Sequence, residues 1–77
     1  MENNKVSVIA RFYSDGHIVP QAIIWEDGRR FNIDAVEDIQ RRASFKIGQS
    51  GIRYTCRIKG RMFYLILDDI YWYLDAV

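Results

Sequence analysis

Residues 52–67 read IRYTCRIKGRMFYLIL, and this stretch decides the fold class. Over residues 52–59, apolar side chains and Tyr54 alternate with a row of Arg, Thr and Lys side chains. A period of two is typical of a β-strand that buries one face. Gly60 marks a tight turn, and Met62 to Asp68 then follow as a strand that is apolar on both faces. The stretch therefore predicts two consecutive strands of an antiparallel sheet.

Two Asp-Gly pairs, at 15–16 and 27–28, predict hairpin turns in the N-terminal half. Asp-Gly between alternating apolar residues is a strong hairpin signal, because both residues accept a positive φ. Pro20 has no amide hydrogen, so we expect it at a sheet edge or at a β-bulge. The turns separate strands that the alternation predicts at residues 5–13, at 17–25 and from residue 29 onward.

Residues 36–43, VEDIQRRA, are the ambiguous segment. Val36, Ile39 and Ala43 follow helical spacing, but an isolated helix of this length is marginal in water. We expect the third strand to continue here, with a bulge or bend near residues 34–36. The alternative is an open sheet that carries one short helix at 36–43.

The remaining segments also predict strands and connecting turns, as in an all-β domain. Residues 44–51 hold two Gly and two Ser and predict a loop, which Phe45 and Ile47 attach to the core. Asp68 and Asp69 predict a turn, after which a short strand of alternating aromatic residues runs from Ile70 to Leu74.

About six short strands, several of them apolar on both faces, require cover on both faces. In so short a chain the sheet must curl onto itself, and closure also removes sticky edges. We therefore expect one all-β domain over residues 1–77, a small antiparallel meander closed into an SH3-like or OB-like barrel. Residues 1–4 are polar and are expected to be flexible.

Composition limits the class of protein. The apolar share of 49% and the charged share of 27% are those of a soluble globular domain. The single cysteine, Cys56, excludes an internal disulfide and a cysteine-based zinc site. No apolar run approaches the roughly 20 residues of a membrane helix, and residues 1–5 do not begin a signal peptide. We expect a cytoplasmic protein with no membrane partner, metal or cofactor.

Nothing in the chain has the pattern of a catalytic site. Cys56 alternates with apolar residues, as a small buried side chain does, and a thiolate nucleophile needs a histidine base nearby. The single histidine, His17, follows a predicted turn. Asp34 and Asp38 meet on one face only if the third strand is straight. We expect that the protein is not an enzyme.

Charge is distributed unevenly along the chain, although its net value is only +1. Residues 39–61 hold seven basic side chains and no acidic one, which is a candidate footprint for a polyanion. The predicted nucleic-acid-binding residues are Arg41, Arg42, Lys46, Arg53, Arg57, Lys59 and Arg61. Small barrels present a strand face and flanking loops to single strands, and Tyr13, Tyr71 or Tyr73 can stack on bases if exposed.

Two other interpretations of these residues stand beside this one. Acidic segments on neighbouring strands can pair with the basic residues, which would make them an ordinary solvated face. The aromatic C-terminal strand with Tyr71, Trp72 and Tyr73 can instead serve a protein-interaction or homodimerisation module, because exposed apolar patches mark partner surfaces.

Several motifs resemble those of a known group of proteins. Ile24-Trp25-Glu26-Asp27-Gly28-Arg29 and Arg53-Tyr54-Thr55-Cys56-Arg57-Ile58 are similar to segments of short uncharacterised proteins from clostridia and related Firmicutes. The spacing from Trp25 through Gly28-Arg29 to Val36 more loosely resembles a small domain encoded beside Y-family DNA polymerases in other bacteria. The first resemblance implies a small bacterial cytosolic domain, and the second favours nucleic-acid binding.

Overall fold

The computed structural model describes residues 4–42 and 51–77, which form seven antiparallel β-strands and, within those ranges, no helix. The prediction of an all-β antiparallel domain is confirmed, with seven strands where about six were expected. The strands are β1 (Lys5–Phe12), β2 (Ile18–Ile24), β3 (Arg30–Asn32), β4 (Ala35–Arg42), β5 (Gly51–Ile58), β6 (Arg61–Asp68) and β7 (Tyr71–Ala76).

The sheet is strongly curled, and its two edge strands are consecutive in the chain. The strand order is β3-β2-β1-β7-β6-β5-β4, so β3 and β4 lie at opposite edges. The amide of Ile33 donates to the carbonyl of Gln21 in β2, whereas the next amide, that of Asp34, donates to Arg57 in β5. One short segment thus reaches both edges. In the described ranges no ladder joins β3 to β4, so the predicted closed barrel is an open half-barrel.

Two β-bulges increase the curl. Ile9 pairs with Ala22 but Ala10 pairs with Pro20, so Gln21 is an extra residue in β2, and the prediction that Pro20 lies at an edge or a bulge is confirmed. In β4 the register shifts between Val36 and Asp38.

The second bulge settles the ambiguous segment. Glu37 is the extra residue in β4, and the strand path breaks at residues 33–34 just before it. The predicted bend near 34–36 is confirmed. The alternative of a helix at 36–43 is wrong for residues 36–42, because pairing with β5 supplies backbone partners that an isolated helical turn cannot match.

The two Asp-Gly turns are where they were predicted. Gly16 has a φ of 98° and Gly28 a φ of 90°, values that L-residues rarely adopt. The turn after β6 lies at Asp69–Ile70, one residue later than predicted, and Asp69 itself takes a φ of 60°. The predicted loop at 44–51 falls outside the described residues except for Gly51, which begins β5.

The core lies on the concave face of the half-barrel. Its fully buried centre holds Tyr54, Cys56 and Leu65, and Ile23 joins them from β2. The hydroxyl of Tyr54 donates to the carbonyl of Ile18, which ties β5 to β2 across the interior. The ring of Tyr54 also lies 5.7 Å from that of Trp72.

Two further observations concern the chain ends and the membrane. Asn4, expected to be flexible, accepts a hydrogen bond of 3.0 Å from the amide of Leu74. Within the described residues, the structure has no helix of the length and apolar character needed to cross a bilayer.

Candidate binding site

A cavity of about 400 Å³ opens on the concave face, at the end of the half-barrel where two turns come together. One turn joins β2 to β3 at residues 25–29, and the other joins β5 to β6 at residues 59–60. The walls are apolar and partly aromatic, and are formed by Ile23, Trp25, Phe31, Ile58, Phe63 and Leu74. A volume of this size is typical of a small-molecule site, which is on the order of 300–1,000 Å³.

Three cationic side chains, Arg29, Lys59 and Arg61, line the same cavity. The guanidinium carbon of Arg29 lies 5.4 Å from the ring centre of Phe31, and that of Arg61 lies 6.0 Å from the ring centre of Phe63. In the described part of the chain, Arg29 has a carboxylate partner but Lys59 and Arg61 do not. The cavity therefore combines an apolar interior with two exposed positive charges that no described carboxylate neutralises.

A carboxylate side chain accepts hydrogen bonds in each of the two turns that border the cavity. The Asp27 carboxylate accepts two hydrogen bonds from Arg29, one from the backbone amide at 3.0 Å and one from the side-chain Nε at 2.7 Å. These bonds lower the pKa of Asp27, and the bond from the backbone amide has the largest effect. In the other turn, Lys59 has a φ of 50° and its amide donates to the Asp34 carboxylate at 2.9 Å. The first turn is thus held by local bonds and the second by a carboxylate from the β3–β4 connection, so the cations project from constrained backbone.

The predicted basic residues do not form one surface. Residues that lie opposite each other in a ladder share a face, so the pairings of β5 divide the set. Arg53 and Arg57 lie on the convex face, whereas Arg41, opposite Ile52, lies on the concave side. Lys59 lies in the turn after β5 and Arg61 begins β6, so both are at the other end of this strand pair, about 20 Å from Ile52 at ~3.3 Å per residue.

The remaining members of the set are placed only in part. Arg42 lies in the last position of β4, and Lys46 falls outside the described residues. Arg57 donates from its Nε to Glu37 at 3.1 Å, so the bulge in β4 aims a carboxylate at this arginine. The guanidinium of Arg53 lies 4.3 Å from the ring centre of Tyr64. Part of the basic surface is therefore engaged within the chain.

The aromatic C-terminal strand is divided between the two faces. Trp72 points inward against Tyr54, and Tyr73 lies half-buried on the convex face. Tyr71 is 47% exposed, with the Nζ of Lys5 lying 4.5 Å from its ring centre. Tyr13 is exposed at the opposite end of the molecule from the cavity, beside the turn that joins β1 to β2.

The side chains with chemical reactivity are engaged in structure. Cys56 is fully buried, and burial raises the pKa of its thiol to about 11. The Nδ1 of His17 lies 3.0 Å from the Asp15 carboxylate in an exposed turn. Among residues 4–42 and 51–77, no three His, Cys, Asp or Glu side chains come together as a metal ion requires.

Sequence reasoning missed four residues of the cavity, namely Trp25, Arg29, Phe31 and Phe63. Arg29 was placed at the start of the third strand and within the motifs that carry the resemblances, but was not predicted as a binding residue. Its position beside Lys59 depends on the strand order, because the turns come to the same end only when five strands separate β3 from β4. One signal was available in the sequence: at each of the two turns an arginine is followed two positions later by a phenylalanine, Arg29 by Phe31 and Arg61 by Phe63.

Comparison of the chain with protein-family models, with curated proteins and with solved structures gives no match. The resemblance to the short proteins of Firmicutes therefore stays a prediction, and the geometry of the cavity carries the functional argument.

Proposed function

We propose that this protein is a non-catalytic module that binds single-stranded nucleic acid at the open end of the half-barrel. An unstacked base occupies the apolar cavity, and the adjoining phosphates contact Lys59 and Arg61. The observation that carries the proposal is the presence of two exposed cations, without described carboxylate partners, on an aromatic-lined cavity of about 400 Å³.

The chemistry of the cavity suits a nucleotide. A base is planar and apolar on its faces, and stacking on an aromatic side chain contributes about 1–3 kcal/mol per base. Trp25, Phe31 and Phe63 supply such faces. Arginine presents a planar fork of donors that matches a phosphate, and lysine supplies a compact charge. Apolar walls and cations at one opening are the combination that a single strand requires.

A second cavity continues the surface beyond Trp25. It has a volume of about 340 Å³ and shares Trp25 and Leu74 with the first, while Lys5 and one carboxylate, Glu26, lie on its lining. A strand that places one base in the first cavity has room for the next nucleotide here. Nucleic acid is therefore supported over an isolated small anion by two adjoining cavities with a shared aromatic wall.

The convex face supports the same function less well. Arg57 is paired with Glu37, and a row across this face holds Asp38, Thr55, Tyr64 and Asp75 in register. Carboxylates repel a phosphate backbone, and here they alternate with the cations. The cavity end is for this reason the better site, although it uses only two of the seven predicted basic residues.

The finer assignments belong to the same proposal. We take the half-barrel as a member of the small-barrel class, SH3-like or OB-like, in which loops at one end of the barrel bind single strands. The looser resemblance of residues 25–36 to a domain encoded beside DNA polymerases favours nucleic acid in the same sense. A cytoplasmic location is consistent with such a ligand.

The test is a titration of labelled single-stranded RNA and DNA, followed by fluorescence anisotropy, with two variants that each lose two positive charges. Lys59→Ala/Arg61→Ala removes the cations of the cavity, and Arg53→Ala/Arg57→Ala removes those of the convex face. We expect the first variant to lose at least about tenfold in affinity and to lower the log–log salt slope by about 1.4, at ~0.7 per phosphate on a single strand. The second is expected to bind nearly as the wild type does.

Because the two variants have the same net charge, a general electrostatic effect would weaken both equally. Loss of binding only in Arg53→Ala/Arg57→Ala would move the site to the convex face. Absence of binding by the wild-type protein at low salt would reject nucleic acid as the ligand. Circular dichroism of each variant confirms that the β-structure is retained.

A further inference from the structure

We infer that Arg29 is a specificity-determining residue of the cavity and that it selects guanine as the base that enters. The inference rests on the proposed function, because it names the base that the single strand places there. Arg29, Lys59 and Arg61 all line the cavity, and the last two are assigned to phosphates. Arg29 differs from both in its surroundings, which suit a base better than a phosphate.

Arg29 is held at three points. Its backbone amide and its Nε both donate to the Asp27 carboxylate, at 3.0 Å and 2.7 Å. The guanidinium also lies over the ring of Phe31, with 5.4 Å between its central carbon and the ring centre. These contacts restrict the guanidinium before a ligand arrives, so less side-chain freedom is lost when the ligand binds.

The pairing with Asp27 makes Arg29 a poor contact for a phosphate. A carboxylate oxygen 2.7 Å from the Nε offsets the positive charge and repels a second anion. A guanidinium has five N–H donors, however, and the bond from Nε uses one of them, which leaves the donors of the two Nη groups for a ligand. The Arg29 side chain is 65% exposed, so these donors are accessible. Arg29 thus offers directed hydrogen bonds with little net charge.

The polar side-chain groups of the cavity are donors. Besides the three cations, the lining residues in the described part of the chain are aliphatic or aromatic, and Trp25 adds only the N–H of its indole. Guanine presents two adjacent acceptors, O6 and N7, which one arginine can bind in bidentate fashion. Adenine presents an amino donor beside its N7, and cytosine presents an amino donor. Guanine therefore satisfies Arg29 with two bonds, whereas the amino group of adenine would face a donor.

The test is an anisotropy titration of short thymidine oligonucleotides that carry one variable central base. The central bases are guanine, hypoxanthine, which keeps both O6 and N7, 7-deazaguanine, which lacks N7, and adenine. We expect guanine and hypoxanthine to bind at least about fivefold more tightly than the other two. The preference should persist as the salt concentration rises, because Arg29 neutralises no phosphate.

Two lysine variants assign the preference to one residue. Arg29→Lys keeps the charge and the backbone amide but replaces the planar fork with a single ammonium group. It should bind the four oligonucleotides with affinities within about twofold of one another. The matched control is Arg30→Lys, since the Nε of Arg30 donates to Asn32 and Arg30 is not on the cavity lining. This variant should keep the guanine preference, and circular dichroism of each variant checks that the β-structure is retained.

The outcomes separate this inference from the proposed function. Equal affinity of the wild-type protein for the four oligonucleotides would overturn the selection of guanine and leave the nucleic-acid site in place. A guanine preference that Arg29→Lys retains, or that Arg30→Lys loses equally, would overturn the assignment to Arg29. Absence of binding to every oligonucleotide at low salt would reject the proposed function and this inference with it.

Discussion

Replacing Tyr54 by Phe tests whether the curl of the sheet depends on one hydrogen bond. The Tyr54 hydroxyl donates to the Ile18 carbonyl, and this bond joins β5 to β2, which lie four places apart in the strand order. Phe keeps the ring, which is 1% exposed and lies 5.7 Å from that of Trp72. The change therefore removes the bond and preserves the packing.

The cost follows from the half-buried position of Ile18. A carbonyl that loses its partner costs about 1–3 kcal/mol when fully buried, and partial access of water brings this towards about 1–2 kcal/mol. With a urea m-value of about 1 kcal/mol/M for a small domain, the unfolding midpoint should fall by about 1–2 M.

Urea unfolding followed by tryptophan fluorescence measures this shift, since Trp72 contacts the substituted ring. The control is Tyr71→Phe, which removes the hydroxyl from a side chain that is 47% exposed and should change the free energy of unfolding by less than about 0.5 kcal/mol. An effect of Tyr54→Phe no larger than that of the control would refute the argument that this bond holds the half-barrel in its curl.

The remaining predictions concern packing, the buried thiol and the cavity. Gly51→Ala should lower the free energy of unfolding by about 1–3 kcal/mol, because a Cβ would lie 2.2 Å from the Leu67 carbonyl oxygen; an unchanged thermal midpoint would contradict this contact. Cys56 should resist thiol reagents at pH 8 until the protein unfolds, and prompt labelling of the native protein would show that it is not buried. Since the pKa of Cys56 is raised from 9.0 to about 11, the folded state binds more protons between these values, so stability should fall as pH rises from 9 to 11. The variant Cys56→Ala should lack this part of the pH dependence, and an identical pH profile would count against it. Trp25→Ala should weaken binding of a single-stranded oligonucleotide by about 1–3 kcal/mol in the anisotropy titration, and an unchanged affinity would argue against base stacking in the cavity.

Local patterns in the sequence predicted the strands well. Alternation in β5 and the Asp-Gly turns depend on neighbouring residues, so they could be interpreted without the fold. The bend near residue 34 could also be predicted. The segment with helical spacing is too short to form a stable helix, so we expected the strand to continue through it.

Long-range features were not accessible in the same way. Closure depends on whether β3 and β4 pair, and no local pattern reports the pairing of strands at opposite edges. The basic residues were expected to share a surface because they are close in sequence. Pairing of β4 with β5 instead sends Arg41 and Arg57 to different faces, and the turn after β5 carries Lys59 to the cavity.

The most direct test of the proposed site is an amide and indole NMR spectrum of the labelled protein during titration with a single-stranded oligonucleotide. The account predicts that the largest shifts fall on the two turns that border the cavity, at residues 25–31 and 58–63, and on the indole of Trp25. Residues of the convex face, such as Arg53 and Tyr64, should change little. Shifts centred on that face, or no shifts at all at low salt, would contradict the assignment of the cavity as a nucleic-acid site.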